Sequence, residues 1–293
     1  MDLDSFLTEL YVTIDDGRQG WARPGRRPGR PERLSASEVL TLALVAQWPR
    51  WRSERDFWRY ARAHLRHLFP HLASQSQFKR RVRALEPELR RVQRCLAERL
   101  ASGLYRVLDT SLTPALHRVR ACRHGLFAGQ ATFGWCRSKT DWVYGFKVAL
   151  VVTPSGVITT FGLALAASDE RQVGEALIAA DRFGCYLADT GFASAAWEQH
   201  WCRAYGAQVL ATPQRHAKRA WSAPGSRWAA GKRQIVEQVF EQLKHFFTLE
   251  QHRAKSLSGL LARLAAKIAS YTAAQWLNAC HDRPLRHFAD LLV

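Results

Sequence analysis

Apolar residues recur at helical spacing through the first hundred positions, and this pattern predicts five helices. The first covers residues 1–16, the second and third begin after the capping residues Ser35 and Ser53, and the last two cover residues 74–85 and 87–100. A serine before a helix satisfies a free backbone N–H of the first turn, so it marks a helix start. Such helices favour an all-α region, either a helix-turn-helix module or a plain helical bundle.

A segment without periodicity separates the first two predicted helices. Residues 17–33, GRQGWARPGRRPGRPER, are rich in Gly, Pro and Arg, which disfavours regular structure. Such a segment is either a solvated charged linker or an extended basic arm. In both cases its arginines would add affinity for phosphates.

From residue 104 the pattern changes to short apolar runs rich in β-branched and aromatic residues, which predict strands. Five such strands are predicted, over residues 104–108, 143–152, 156–165, 185–188 and 207–212. Helical periodicity occupies the intervals after the third and fourth strands, and two amphipathic helices follow the fifth. This order predicts an α/β fold in which a mixed five-stranded sheet is flanked by helices on both faces.

Composition and net charge indicate a folded protein and the class of partner that it binds. Hydrophobic residues make up 47% of the 293 residues and charged residues 23%, which is typical of a folded protein. The formal net charge is +18, and the pI is about 10.4. This excess favours a polyanionic partner, with nucleic acid as the first candidate and an acidic membrane surface as the second.

The six cysteines and the N-terminus indicate a compartment. No C-x-x-C pair is present, which disfavours a zinc site or a disulfide framework. The N-terminal sequence MDLDSFLTEL lacks the basic start of a signal peptide, and the longest apolar run is too short to span a bilayer. We expect a soluble protein of a reducing cytoplasm, with no membrane partner.

Two predicted strands end in an aspartate, Asp109 after LYRVL and Asp189 after CYLA. An aspartate in this position is most often a turn or helix-capping residue. If the two strands are parallel neighbours, however, both carboxylates emerge at one edge of the sheet, where they repel unless a cation lies between them. Mg²⁺ is commonly held by one or two carboxylates together with phosphate oxygens, and two such ions can support phosphodiester chemistry.

A third carboxylate is available on the helix predicted from RQIVEQVFEQLKHFF, residues 233–247. Arg233, Glu237, Glu241 and Lys244 share a face of this helix. The face is either a solvated ladder of ion pairs or the position of a catalytic glutamate, for which Glu237 is the candidate.

At these residues the chain resembles the DDE transposases of bacterial insertion sequences, whose catalytic core is RNase H-like. VLDTS resembles the family's first aspartate strand, ADTGF its second motif, and YGFK its second strand. Arg233, Glu237 and Lys244 match the signature R-x3-E-x6-K. The N-terminal stretches SASEVLTL, LFP and SQF are similar as well, so the resemblance extends over most of the chain.

The resemblance implies a set of roles for these residues. Asp109, Asp189 and Glu237 would be the catalytic residues and would hold two Mg²⁺ ions, for which Mn²⁺ can substitute. Arg233 and Lys244 would grip phosphates on either side of the scissile bond, although an intrahelical ion pair explains each of them equally well. Glu241 is then the expected ion-pair partner of the signature lysine.

Further basic residues are candidates for contacts with DNA. Some lie in residues 110–141, predicted to be a long loop, one in the second strand and some in the fourth helix; they are Arg118, Arg120, Arg137, Lys139, Lys147, Lys79, Arg80 and Arg81. A loop of that length without secondary structure is commonly functional. For Lys147 a lysine whose stem simply lies at a strand edge is an equal alternative.

Some positions are set apart. Asp141, Asp169 and Glu170 receive no catalytic role, and Asp169 is expected to cap a helix. Ala230 stands where some relatives have a tyrosine that positions DNA in a hairpin step. The excision pathway therefore stays open.

The resulting expectation is an insertion-sequence transposase with two regions. Residues 1–101 would be an all-α DNA-binding region that contains the basic linker, and residues 102–293 the RNase H-like catalytic domain with C-terminal helices. A homodimer would bind double-stranded DNA, namely terminal inverted repeats and target DNA, in the bacterial cytoplasm at the nucleoid. It would cleave the transposon ends and join the 3′-hydroxyl to the target. The alternatives are a nuclease or resolvase that cuts without joining, and an inactive DNA-binding protein.

Overall fold

The computed structural model describes residues 1–21, 32–121, 123, 125–136, 140–214, 221–289 and 291. Most of the predicted linker, residues 22–31, lies outside this set, so its prediction stays open. Contacts divide the chain into two compact units. The first, called the helical unit, comprises Met1–Arg99, His245–His252 and Ser258–Val293, and the second, called the sheet unit, comprises Leu100–Lys244 and Arg253–Leu257.

Within the described residues the chain forms ten α-helices and six β-strands. The helices are α1 Leu3–Gln19, α2 Ala36–Val45, α3 Glu54–His64, α4 Gln75–Ala84, α5 Glu86–Leu100, α6 Arg118–Ala121, α7 Glu170–Asp181, α8 Ala195–Tyr205, α9 Ala223–His245 and α10 Leu257–Cys280. The strands are β1 Arg106–Leu116, β2 Thr132–Cys136, β3 Asp141–Val152, β4 Ile158–Leu165, β5 Cys185–Ala188 and β6 Gln208–Ala211. Short 3-10 helices cover Thr190–Phe192 and Leu249–Gln251.

The helical unit begins its helices where the sequence indicates. Ser35 caps α2 in a reciprocal capping box with Glu38, and Ser53 accepts a hydrogen bond from the backbone N–H of Asp56 in α3. α1 continues to Gln19, three residues past its predicted end. The five predicted N-terminal helices are therefore confirmed.

The last helix, α10, differs from its prediction. Amphipathic spacing predicts one exposed face, yet every residue from Leu264 to Gln275 is buried. The residues that suggested a polar face are small or bonded internally: the Lys267 ammonium donates to the carbonyl of Phe247, and the Ser270 hydroxyl to the carbonyl of Leu44. A helix buried on all sides is a central helix, and α10 lies in the helical unit rather than with the sheet.

The sheet unit contains one mixed six-stranded sheet in the order β2-β3-β1-β5-β6, with β4 also paired to β3. β1 is antiparallel to β3, β3 is antiparallel to β2 and β4, and β5 is parallel to both β1 and β6. α7 and α8 pack on one side, over a core that includes Leu108, Tyr186 and Trp201. The architecture is the expected RNase H-like α/β fold.

Two details of the sheet correct the sequence-based prediction. β1 does not stop at Asp109 but continues to Leu116, and β2 adds a sixth strand inside residues 110–141, which were predicted to be a loop. The second half of β1, TSLTPAL, has neither an apolar run nor a regular alternation and contains Pro114, so it carries little strand signal. No described helix is long and apolar enough to cross a membrane.

Candidate active site

The parallel pairing of β1 and β5 brings the two strand aspartates to one place. The last paired residues are Leu108 and Ala188, so Asp109 and Asp189 follow at equivalent positions. Leu108 belongs to the core under α7 and α8, and because side chains alternate along a strand, Asp109 faces the other side of the sheet. The condition for the two carboxylates to meet, that their strands are parallel neighbours, is therefore met.

Asp109 is a carboxyl group in an unfavourable environment. Its pKa is raised to about 7, chiefly by burial, and the carboxylates of Asp189 and Glu170 add to this effect. The backbone N–H of Thr110, which donates to Asp109 Oδ1 at 2.7 Å, and the positive charge of Arg233 act in the opposite direction. The charged form of Asp109 is therefore disfavoured mainly by burial, and the neighbouring carboxylates add to this.

Arg233 is the basic residue that reaches this pair of aspartates. Its Nη1 lies 2.9 Å from Asp189 Oδ1, and its side chain is 13% exposed against 45% for Asp189. Its Nε is buried and has no hydrogen-bond partner within the described part of the chain. The first residue of the R-x3-E-x6-K signature thus contacts an aspartate of the site directly, and its Nε–H is left without an acceptor among the described residues.

Glu237 lies one turn after Arg233 on α9 and is exposed. Among the described residues, no group of three or more His, Cys, Asp or Glu side chains is close enough to share a metal ion. The structure therefore assembles two of the three predicted carboxylates, and the role of Glu237 stays a prediction.

Two lysines that were predicted to contact DNA form contacts within the protein. Lys244 Nζ lies 4.0 Å from Glu241, the expected partner, and packs over the ring of Phe240. Lys147 is buried, and its Nζ donates to the carbonyl of Ser168 at 2.8 Å. Lys147 is therefore bonded within the protein, and its contact with DNA stays a prediction.

The remaining predicted DNA contacts fall into three groups. Arg118 and Arg120 are exposed, and Arg118 forms an ion pair with Asp141 at 3.0 Å. Arg137 and Lys139 lie outside the described residues. On α4, Arg80 is exposed, whereas Lys79 lies 3.6 Å from Glu54 and Arg81 bonds to Glu32 and to the carbonyl of Leu34.

Glu170, which received no role from the sequence, lies at the site. Its Oε1 accepts a hydrogen bond from Thr110 Oγ1 at 3.1 Å and lies 3.6 Å from Lys147 Nζ. The neighbouring Asp169 caps α7 as expected, accepting from the backbone N–H of Arg171. The position of Glu170 follows from the directions of the strands. β4 is antiparallel to β3, which is antiparallel to β1, so β4 is parallel to β1. The helix after β4 therefore starts at the edge of the sheet that carries Asp109.

The donor set fits a hard divalent cation. Two neighbouring carboxylates, one of them held in a place that penalises its charge, gain most from a cation that accepts oxygen ligands. Mg²⁺ usually takes only one or two carboxylates from a protein and completes its shell with water and phosphate oxygens. Asp109 and Asp189 would supply that pair.

Comparison with known proteins gives a family. The search of curated proteins and the search of solved structures each found no match. The sequence model of a family described as Transposase DDE domain matches residues 101–257, a segment that contains both strand aspartates and the signature on α9. Because the match covers more than half of the chain, the protein belongs to the family of transposases with a DDE domain.

Proposed function

We propose that the protein is a DNA transposase that binds the terminal inverted repeats of an insertion sequence, cleaves the ends and joins the freed 3′-hydroxyl to target DNA. The observation that carries this proposal is the placement of Asp109 and Asp189 at the carboxyl end of the parallel strands β1 and β5. The family match supports the same chemistry.

Asp109, Asp189 and Glu237 would hold two Mg²⁺ ions. When bound, the ions activate the attacking oxygen and stabilise the leaving oxygen of an in-line transfer at phosphorus. A bound cation would stabilise the charged form of Asp109, whose pKa is raised chiefly by burial. Glu237, one helical turn beyond Arg233, would complete the set from α9.

Arg233 would serve both the protein and the substrate. Its Nη1 holds Asp189 in place, and its buried Nε lacks an acceptor among the described residues. A buried donor without an acceptor costs about 1–3 kcal/mol. A phosphate of bound DNA would attract the guanidinium, which would then turn from Asp189 and donate charge-assisted hydrogen bonds to phosphate oxygens, from Nε as well.

The helical unit would bind the transposon ends, with α4 as the element that faces DNA. Arg80 and Arg83 are exposed on this helix, together with Gln77. Phe78, the buried residue of α4, stacks on Trp58 of α3 and anchors the helix. An anchored helix with an exposed polar and basic face is suited to a DNA groove.

Cleavage of the element ends tests the central proposal. Duplexes that carry the ends are incubated with the wild type and with Asp109→Asn in Mg²⁺ or Mn²⁺. Wild type is expected to nick the ends, and Asp109→Asn to lose at least 100-fold in rate, on the order of 3 kcal/mol or more. The matched control Asp141→Asn removes an exposed carboxylate of β3 and should cut normally. Unchanged cleavage by Asp109→Asn would contradict the proposal.

One observation favours the alternative of a DNA-binding protein with an inactive site: among the described residues, no three carboxylates lie close enough together to share a metal ion. A DNA-binding protein with an inactive site would bind the ends yet show neither cleavage nor Asp109-dependent Mn²⁺ binding. A nuclease that cuts without joining is separated by strand transfer from pre-cut ends.

A further inference from the structure

The first turn of α7 brings a further acidic side chain to the edge that carries Asp109 and Asp189. Glu170 is the first residue of α7 and directly follows the capping residue Asp169. β4 is antiparallel to β3, which is antiparallel to β1, so the chain leaves β4 at the carboxyl end of β1 and β5.

The Glu170 carboxylate contacts the residues that follow both aspartates. Its Oε1 accepts a hydrogen bond from the hydroxyl of Thr110, the residue after Asp109. Its Oε2 lies against Gly191, two residues after Asp189, so closely that a Cβ at position 191 would be 1.6 Å from this oxygen. One carboxylate therefore links the two segments that carry the aspartates.

Lys147 fixes the carboxylate in this position. Its Nζ lies 3.6 Å from Glu170 Oε1 and also donates to the carbonyl of Ser168, just before α7. Lys147 is 8% exposed, and a buried ammonium is stable only with partners of this kind. The ion pair thus ties the start of α7 to β3.

The next turn of α7 repeats the contact with the Asp189 segment. Gly174 lies four residues after Glu170 and thus on the same face of the helix. A Cβ at Gly174 would come 2.9 Å from Phe192 Cε1, and Phe192 is fully buried. The segment Asp-Thr-Gly-Phe therefore packs closely on α7 at two places, where Gly191 of the segment meets Glu170 and where Gly174 of the helix meets Phe192.

We propose that Glu170 is a positioning residue, which sets the spacing of Asp109 and Asp189 through Thr110 and Gly191. This inference rests on the proposed function, since the spacing matters because the two aspartates hold divalent cations. Residues that orient metal ligands commonly change metal affinity 10–100-fold when they are removed. Glu170 itself need not touch the metal ions or the DNA.

Mn²⁺ binding to the full-length protein, measured by calorimetry, tests this role. We expect Glu170→Ala to weaken Mn²⁺ binding about tenfold, and Glu170→Gln to weaken it less because its amide oxygen still accepts from Thr110. Glu175→Gln is the matched control, since Glu175 lies on the same helix but bonds to His200 and Tyr205 of α8. It should bind Mn²⁺ as the wild type does.

Gly191→Ala provides a test that leaves Glu170 in the sequence. The Gly191 backbone lies outside the left-handed region, so the contact with Glu170 is the obstacle to alanine. The added methyl group should displace the carboxylate and weaken Mn²⁺ binding as Glu170→Ala does. In the Glu170→Ala background the same methyl group should cause no further loss.

Each contrary result overturns the assignment. Wild-type affinity in both Glu170→Ala and Gly191→Ala, or additive losses in the double variant, would show that the two residues do not act together. Thr110→Val, which removes the hydroxyl, should also weaken Mn²⁺ binding; an unchanged affinity would show that Glu170 does not act through Thr110, contrary to the assignment. If the wild type shows no Asp109-dependent Mn²⁺ binding, the proposed function itself fails and Glu170 loses its role with it.

Discussion

At the scale of single residues, Asp109 is held where its charge is costly. Burial next to two other carboxylates raises its pKa to about 7, and one pKa unit corresponds to about 1.4 kcal/mol between the two protonation states. In the unfolded chain the pKa of this group is near its ordinary value of 3.8. Between these two values the folded protein binds the proton more tightly, so its stability decreases as the pH rises.

Asp109→Asn should therefore stabilise the metal-free protein in a pH-dependent way. Asparagine keeps the oxygen that accepts from Thr110 and does not ionise, so the gain over wild type should be small near pH 4 and largest above pH 7. Thermal unfolding in EDTA measures it, as a difference of a few kcal/mol at most. Mn²⁺ should then raise the melting temperature of the wild type and leave the variant unchanged. A pH-independent difference would show that burial does not act on the charge of Asp109.

At the scale of elements, the basic residues of α4 fall into two groups, those bonded within the protein and those exposed. Lys79 and Arg81 contact Glu54, Glu32 and the Leu34 carbonyl, and so hold the helix in place. Arg80 and Arg83 are exposed. The sequence alone shows four basic residues within positions 79–83. It cannot tell which of them are exposed, because that depends on which face of the helix meets α2 and α3.

The double variant Arg80→Ala/Arg83→Ala should weaken DNA binding without loss of stability. Each phosphate contact contributes about one to the slope of log affinity against log salt, so removing two should lower the slope by about 2. Fluorescence anisotropy with duplex DNA at several salt concentrations gives the slope. Arg81→Ala is the opposite control, which should lower the melting temperature because it loses the Leu34 carbonyl. If the double variant keeps the slope, α4 does not face DNA.

Much of the fold follows from patterns that are local in sequence. Ser35 and Ser53 mark helix starts, and the apolar runs before Asp109 and Asp189 mark the parallel strands of the site. The strand Thr132–Cys136 escaped this approach because a short run with a central glycine carries little strand signal. Glu170 escaped it for another reason: its contact with Thr110 joins residues sixty positions apart, and such contacts depend on strand order, which periodicity does not contain.

At the scale of the whole molecule, the net charge of +18 sets the conditions of assembly. Like-charged copies repel in the absence of a polyanion. Under the proposed function, DNA would neutralise this charge, so two chains would come together most readily on a pair of transposon ends.

We therefore expect the protein to be monomeric alone and dimeric on DNA. Light scattering at physiological salt should give the mass of one chain without DNA, and of two chains with two duplexes when end DNA is added. High salt should dissolve this complex because exposed charges are then screened. A stable dimer without DNA would contradict the expectation.

Arg233 would compete with metal ions for the carboxylate of Asp189. While its guanidinium is paired with Asp189, a metal ion at the proposed site would have to share or displace that contact, which would lower the apparent metal affinity of the DNA-free protein. A phosphate that draws the guanidinium away would release the aspartate. Metal and DNA would then each strengthen the binding of the other by the same factor, as thermodynamic linkage requires. The protein would acquire its full complement of ions only where a DNA strand is already in place.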